Sequence, residues 1–483
     1  SKSETIVFHM LKLCAVSNQL AGRREFSSKD MVISLAQHTE ELITWLNLDT
    51  DKEKGVSLIK TLEQQTRNAP AQFQFTHLSF QEGLYAMHLL TVVDKPDWTQ
   101  WDKDETAAEF LNNRYMNNTC RIASGRLGTL LAQRRSRWDF SVSRLLQFGR
   151  QALWFISESN QKLQSVNLNG NDVGPDDSQG LANLISSCPL LDTLDLGFNG
   201  LGALEKQQLK TLIRALRTNV TLTYLNLQSN HLGPNGVDHV VSALRECPKI
   251  ATVRLSYNEP GDRCKELVAF IKEHPCLEYL DIIERRKEDL GTRGKTNLGK
   301  ALAERHADSK LSYLECDAFS LTKETDSLEW RTDAGQNDAM ADANATLLAG
   351  VLKTNTVLTM LTLAPDSKIS ETAQSTIGHA MLFNKVGRVG FLHGFDEVMD
   401  MDATKTEHIF QDHILAKTEP VDPFYMFAGA LRANNVIAQL TVRELRKEHI
   451  KPLAQALRSN QTVETLTLEG SFSSHGNKTE LSV

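Results

Sequence analysis

The sequence predicts an α/β repeat array for most of the chain. A short leucine pattern recurs along it, helical patterns lie between the recurrences, and asparagines recur at fixed offsets from the leucines. The segments LQSVNLNGNDV (from Leu163), LDTLDLGFNGL (Leu191), LTYLNLQSNHL (Leu222) and IATVRLSYNEP (Ile250) all fit L-x-x-L-x-L-x-x-N, with starts 28, 31 and 28 residues apart. Weaker copies start at Leu277, Leu311, Leu358, Val386, Ile437 and Val463. A period of this size means stacked supersecondary units, each too small to bury its own apolar side alone.

Each element follows from its local pattern. In the copies the first, fourth and sixth positions point into a shared core, and the positions between them face away, because strand side chains alternate. Between copies, QLKTLIRALRTN, VDHVVSALREC, LVAFIKEH and PLAQALRSN carry apolar residues at spacings of three and four, one buried helix face each. Asn171, Asn199, Asn230 and Asn258 fall where the chain leaves the strand, and a side-chain amide there satisfies buried backbone groups. Asn219, Asn355, Asn434 and Asn460 follow the helices, where a left-handed helix end is expected. Helix-containing units of this length resemble the leucine-rich repeat of the ribonuclease-inhibitor type. The expected fold is a leucine-rich-repeat horseshoe of about ten strand–helix units over residues 161–483. The spacing widens after Leu311 and again before Ile437, which predicts insertions near 317–345 and 394–422. Both are acid-rich, with Asp317, Glu324, Asp326, Glu329, Asp333, Asp338 and Asp342 in the first and Asp396, Glu397, Asp400, Asp402, Glu407, Asp412, Glu419 and Asp422 in the second; flexible acidic loops are expected.

Composition bounds the function. The chain has 483 residues, 41% hydrophobic and 23% charged, with a net charge of −7, which fits a globular protein and argues against a dedicated nucleic-acid binder. No apolar run approaches the ~18 residues of a membrane helix, and the N-terminus lacks the shape of a signal peptide. Seven cysteines without a CxxC pair point to reduced thiols and a cytoplasmic setting. Cys188, Cys247 and Cys276 lie where helix gives way to strand and are expected in the core. No histidine spacing points to a metal, and no cofactor is expected. Arg121, Arg126, Arg134, Arg135 and Arg137 form a basic run, expected to be a solvated helix face or to pair with acids.

Residues 1–160 are not repetitive and read as mostly helical. In FQFTHLSFQEGLYA, from Phe73, an alternating strand runs into a helix, with Ser79 and Glu82 at capping-box spacing and His77 just ahead. This F-x-H-x-S-F-Q-E motif resembles the end of the winged-helix domain of NACHT-type ATPases, the NOD-like receptors. The resemblance implies a winged-helix-like region over residues 1–92 and a helical linker over 93–160, before the repeats. It implies that His77 contacts the β-phosphate of bound ADP, provided a nucleotide-binding domain is present. That domain is expected upstream of Ser1, where the chain does not begin with methionine. The nearest look-alike of a phosphate loop here, GTRGKT from Gly291, has Asp289 where the motif needs its first glycine, and no nucleotide turnover is expected from it.

The expected function is non-catalytic recognition of a protein partner on the concave repeat face. Reading the outward positions gives Asp195, Phe198, Tyr224, Arg254, Tyr257, Tyr279, Asp281, Tyr313 and Glu315. Four of the seven tyrosines fall among them, and tyrosine and arginine are enriched at binding hot spots. A second reading is a scaffold subunit of a larger assembly. A third is a GTPase activator resembling the Ran-activating repeat protein. Neither nucleic acid nor membrane insertion is expected.

Overall fold

The computed structural model describes residues 2–50, 58–284, 290–305, 309–330, 338–363, 369–382, 390–393, 397–400, 407–411, 422–433, 437–443, 445–469 and 479–482. They form two compact units, residues 1–200 with 204–222, and residues 201–203 with 223–483.

The first unit opens with α1 (Lys2–Leu20), β1 (Glu25–Ser27), α2 (Ser28–Leu35), α3 (Thr39–Thr50), β2 (Ile59–Glu63) and β3 (Gln72–Phe75). The strands form an antiparallel sheet ordered β1-β3-β2. Alternation in QFQF sends Phe73 and Phe75 inward, where they meet Phe26, Met10, Met31 and Trp45. Ser27 caps α2 in a full capping box with Asp30. The box expected between Ser79 and Glu82 is not formed. Helix α4 (Leu78–Val92) begins two residues earlier than that box requires, with His77 as its N-cap and no side-chain cap bond. Glu82 lies on the buried face of α4, accepting a hydrogen bond from Asn118 on α6, while Ser79 is exposed.

Helices α5 (Asp104–Asn112) and α6 (Met116–Arg134) follow. Two arginines of the basic run pair with acids. Arg134 binds Asp102 at 2.7 Å and the Val93 carbonyl at 2.8 Å, Arg135 binds Asp104 at 2.5 Å, and Arg121 donates to Asn118. The parallel ladder of the repeats then starts at β4 (Arg137–Asp139), ahead of the first consensus copy. Trp138 pairs with Val166 in the register of a repeat, so RSRWDF is a unit with aromatic residues, Trp138 and Phe140, at the leucine positions, both buried. Helix α7 (Gln147–Ser157), β5 (Ser165–Asn167), α8 (Ser178–Ser187), β6 (Thr193–Asp195) and α9 (Lys206–Thr218) complete this unit.

The second unit continues with β7 (Tyr224–Asn226), α10 (Gly233–Leu244), β8 (Thr252–Arg254), α11 (Lys265–Glu273), β9 (Tyr279–Asp281), α12 (Gly291–Glu304) and β10 (Tyr313–Cys316). These strands pair in parallel at the register of the consensus, Leu225 with Val253, Val253 with Leu280, and Leu280 with Leu314. The expected acidic loop after β10 is instead a hairpin followed by a new strand. β11 (Phe319–Leu321) folds back antiparallel on β10 and occupies its open edge. The next strand, β12 (Ser327–Trp330), therefore opens a separate ladder, with Leu328 opposite Leu361.

That ladder runs through β13 (Met360–Leu363) and β14 (Gly390–His393) and closes on antiparallel β15 (Glu397–Asp400). β16 (Glu407–Gln411), β17 (Gln439–Arg443) and β18 (Thr465–Glu469) repeat the scheme, closed by β19 (Thr479–Ser482). The second expected insertion thus contains two strands; the rest of it, 394–396, 401–406 and 412–421, lies outside the described residues. In β14, Phe391 rather than Val389 registers with Leu361, two residues from the frame that starts at Val386. A slip of two keeps every side chain on its face, so periodicity does not distinguish the two frames.

The helices stay stacked across these sheet boundaries. Helices α13 (Asp338–Leu352), α14 (Glu371–Leu382), α15 (Pro423–Ala433) and α16 (Ile450–Ser459) pack in sequence order, beginning with α13 against α12. Glycine permits the closest of these approaches. A Cβ on Gly378 would lie 1.9 Å from the Met426 carbonyl oxygen, and one on Gly429 1.8 Å from that of Ser375.

The turn asparagines work as expected. Asn258 donates to the carbonyls of Leu227, Leu255 and Ser256 at 2.7–3.3 Å and accepts from the N–H groups of Asn230 and Leu232. Glu284 takes over this role in the following turn, accepting from the N–H groups of Asn258 and Glu259. The helix-end asparagines differ from expectation. Asn219 and Asn460 are extended, not left-handed, at φ −78 and −82. Each brackets two repeats, as Asn219 does by donating to the Ile185 carbonyl while accepting from Thr221 and Leu222 N–H. Asn355 makes the same set of bonds, and Asn434 lies outside the described residues.

Leu225 is 1% exposed at the fourth position of its repeat. Leu225→Ala should cost about 3 kcal/mol in a denaturant titration, and an unchanged midpoint would contradict the register.

Candidate protein-binding face

The outward strand positions form two lateral rows in the second unit. Register places Tyr224, Thr252, Tyr279 and Tyr313 in one row, and Asn226, Arg254, Asp281 and Glu315 in the other. Adjacent strands are about 4.8 Å apart, so neighbours in a row are within side-chain reach.

The second row has a structural use in most repeats. Asn167, Asp195 and Asn226 each accept a hydrogen bond at 2.9–3.0 Å from the backbone N–H two residues on, an Asx turn ending the strand. Asp281 accepts from Ile283 N–H at 3.3 Å and from the Ser256 hydroxyl. It is 4% exposed, so it is a turn brace and not part of an exposed surface. Tyr313 needs the same correction. It is 9% exposed, its hydroxyl 2.8 Å from Thr356 Oγ1 and its ring under Lys323. Alternation specifies the face of a strand and not what covers it, which is the strand's own turn for Asp281 and later chain for Tyr313.

Arg254 and Glu315 depart from the row, since arginine accepts nothing and glutamate is one carbon longer. They are drawn into a network instead. The Arg254 guanidinium lies over the Tyr279 ring at 5.6 Å and donates to its hydroxyl at 3.2 Å. The Tyr279 hydroxyl donates to Glu315, which also accepts from Ser320 at 2.9 Å and lies 3.9 Å from Arg254. Arg254 remains 37% exposed. The patch is a pre-ordered set of donors, acceptors and one aromatic face.

Phe198 and Tyr257 occupy the residue before the turn asparagine. Their φ values are 54 and 60, at the position where Gly170 has 69 and Ser229 has 54. A left-handed backbone costs a residue with a Cβ roughly 1–2 kcal/mol, and bulky side chains held so deserve a functional reading. Phe198 is 51% exposed, and Tyr224 and Tyr257 are half-buried. The signal for all of these was in the sequence, as departures from the internal consensus.

His77 is exposed, with its ring edge on Phe80 at 5.8 Å. Cys188, Cys247 and Cys316 are buried thiols whose pKa is raised to about 12 by desolvation. Cys276 is half-buried.

A repeat register of buried leucines closed by amide-capped turns is that of leucine-rich repeats. The family model described as "Leucine Rich repeat" matches residues 159–182 and 218–238. Over 83 residues the chain is 37% identical to the Tonsoku-like protein of Danio rerio. That stretch is 17% of this chain and 6% of that protein. Among solved structures, the leucine-rich repeat-containing protein LegL7 from Legionella pneumophila matches with 15% identity and a TM-score of 0.28, over 66% of this chain and 85% of that one. The Rad7 and Elc1 complex of yeast matches with 12% identity and a TM-score of 0.36, over 83% and 90%. With scores this low, the fold rests on the repeat register and the family match. Among the described residues no helix is long and apolar enough to cross a membrane.

Proposed function

We propose that the chain is a non-catalytic recognition arm that binds a protein partner on the concave strand face of a ribonuclease-inhibitor-type repeat array. The observation that carries this reading is the Arg254–Tyr279–Glu315 network, which replaces turn braces at two repeats and orders an arginine and a tyrosine at the surface. Tyr257, in the same unit, adds an aromatic ring held on a left-handed backbone, and Phe198 in the first unit presents one in the same way at its own turn. The free cysteines fit a reducing, cytoplasmic setting.

The finer reading is the sensor portion of a NOD-like receptor. Its support is the helix–strand order α1-β1-α2-α3-β2-β3 with sheet order β1-β3-β2, the connectivity of a winged helix, followed by the His77 motif at the start of α4. His77 would contact nucleotide where a nucleotide-binding domain is supplied.

The test compares cross-linked proteins recovered with the full chain and with Arg254→Glu, Tyr279→Ala and Phe198→Gly. Each variant should weaken binding of the same partner by about 1–3 kcal/mol with little change in thermal midpoint, and Lys210→Glu on α9 should leave binding intact. Phe198→Gly is the cleanest, because glycine relieves the left-handed backbone. Retained binding in all three, with loss on charge reversal at Glu324 and Asp326, would move the interface to the β11–β12 segment.

A further inference from the structure

The N-terminal sheet and helices bring together three side chains that the function above does not use. His9 stands on α1, and His38 and Glu41 stand at the start of α3, where the His38 carbonyl accepts the first helical hydrogen bond, from Leu42. The spacing of His38 and Glu41 is three residues, which puts both on one side of the helix. His9 faces them from the packed neighbour. Its Nδ1 is 2.6 Å from Glu41 Oε1, and the His9 and His38 rings meet edge to face at 5.5 Å. One ligand atom from each of the three lies within 4.8 Å of the others.

We propose that His9, His38 and Glu41 form a divalent transition-metal site, with Zn²⁺ the fitting ion. Two imidazoles and a carboxylate are the donor set of three-ligand zinc sites, and ligands about 2.1 Å from a tetrahedral ion stand about 3.4 Å apart. The His9–Glu41 pair is closer than that and all three ligand atoms lie within 4.8 Å of one another, so side-chain rotation is the movement that would close the site. All three residues are half-buried, which leaves an entry path and room for water as a fourth ligand. On binding, the proton between His9 and Glu41 goes to solvent and the metal takes its position between the two atoms. The ion would clip α1 to the start of α3. None of this was visible in the sequence, because His9 and His38 are 29 residues apart and match no metal spacing.

The full chain, stripped with chelator, is titrated with Zn²⁺ against a chromophoric competitor, and its thermal midpoint is followed. One ion per chain should bind at micromolar concentration or below, and the midpoint should rise with free Zn²⁺. His9→Gln, His38→Gln and Glu41→Gln should each weaken binding at least tenfold and abolish the Zn²⁺-dependent rise, whatever their own midpoint without metal. Cys276→Ser should leave both unchanged, and Co²⁺ should give a spectrum free of thiolate charge-transfer bands. Uptake unaltered in the three variants, several equivalents of weak uptake, a thiolate signature, or no uptake would each overturn the site.

Discussion

Asp317→Ala is expected to destabilise the second unit by about 3–5 kcal/mol, the cost of leaving a buried charge unpaired. Lys295 on α12 is 0% exposed, and its Nζ lies 2.6 Å from Asp317 Oδ2 in the turn between β10 and β11. Taking an ammonium out of water is unfavourable by several kcal/mol, and here that carboxylate compensates. Lys295→Met combined with Asp317→Asn should recover most of the loss, since an apolar side chain of similar volume needs no partner. Urea titration of the single and double variants decides it. A loss below ~1 kcal/mol in Asp317→Ala would mean that the ammonium reaches another acceptor or water. Lys295 belongs to the sequence that mimics a phosphate loop, and its burial against Asp317 gives that lysine a structural role.

Asp177→Ala should cost a similar amount, about 3–5 kcal/mol, in the first unit. Asp177 is 1% exposed and accepts from Arg150 Nε at 3.0 Å, Trp154 Nε1 at 3.0 Å and Gly174 N–H at 3.1 Å. Arg150, itself buried, also donates to the carbonyls of Asn171 and Leu145. One carboxylate therefore ties α7 to the turn and helix of the next repeat. Its removal strands a guanidinium charge and an indole N–H together. Asp177→Asn keeps an acceptor and should lose less. Hydrogen exchange should quicken across residues 147–187 in Asp177→Ala, and protection equal to wild type would show that Arg150 finds another partner.

The candidate face was legible in part. Tyr279, Arg254 and Glu315 emerge from alternation alone and meet in one network, and Phe198 is exposed as expected. Asp281 and Tyr313 emerge from the same alternation and are buried, one under its own turn and the other under Thr356 and Lys323. The sequence also hid the acids that serve structure. Asp317 and Asp422 read as members of acidic loops, yet Asp422 accepts from Phe424 N–H and pairs with Arg446 and His449. Burial raises the pKa of the Asp422 carboxyl, and these partners more than reverse that, leaving it low.

By itself the sequence determined the repeat, because its signals are local. A leucine at the fourth position is buried by strand alternation, and an asparagine at the turn caps groups within a few residues of itself, so Leu225 and Asn258 can be placed from their neighbours. Only the tertiary structure decided where the sheet stops. β11 pairs back on β10 and β12 starts afresh, and nothing within either strand distinguishes joining a ladder from ending one. It likewise decided that Trp138 begins the array, that Lys295 finds Asp317, and that His9 meets Glu41 across 32 residues. Those outcomes depend on which distant side chains arrive at the same place, and no local pattern in the chain records that.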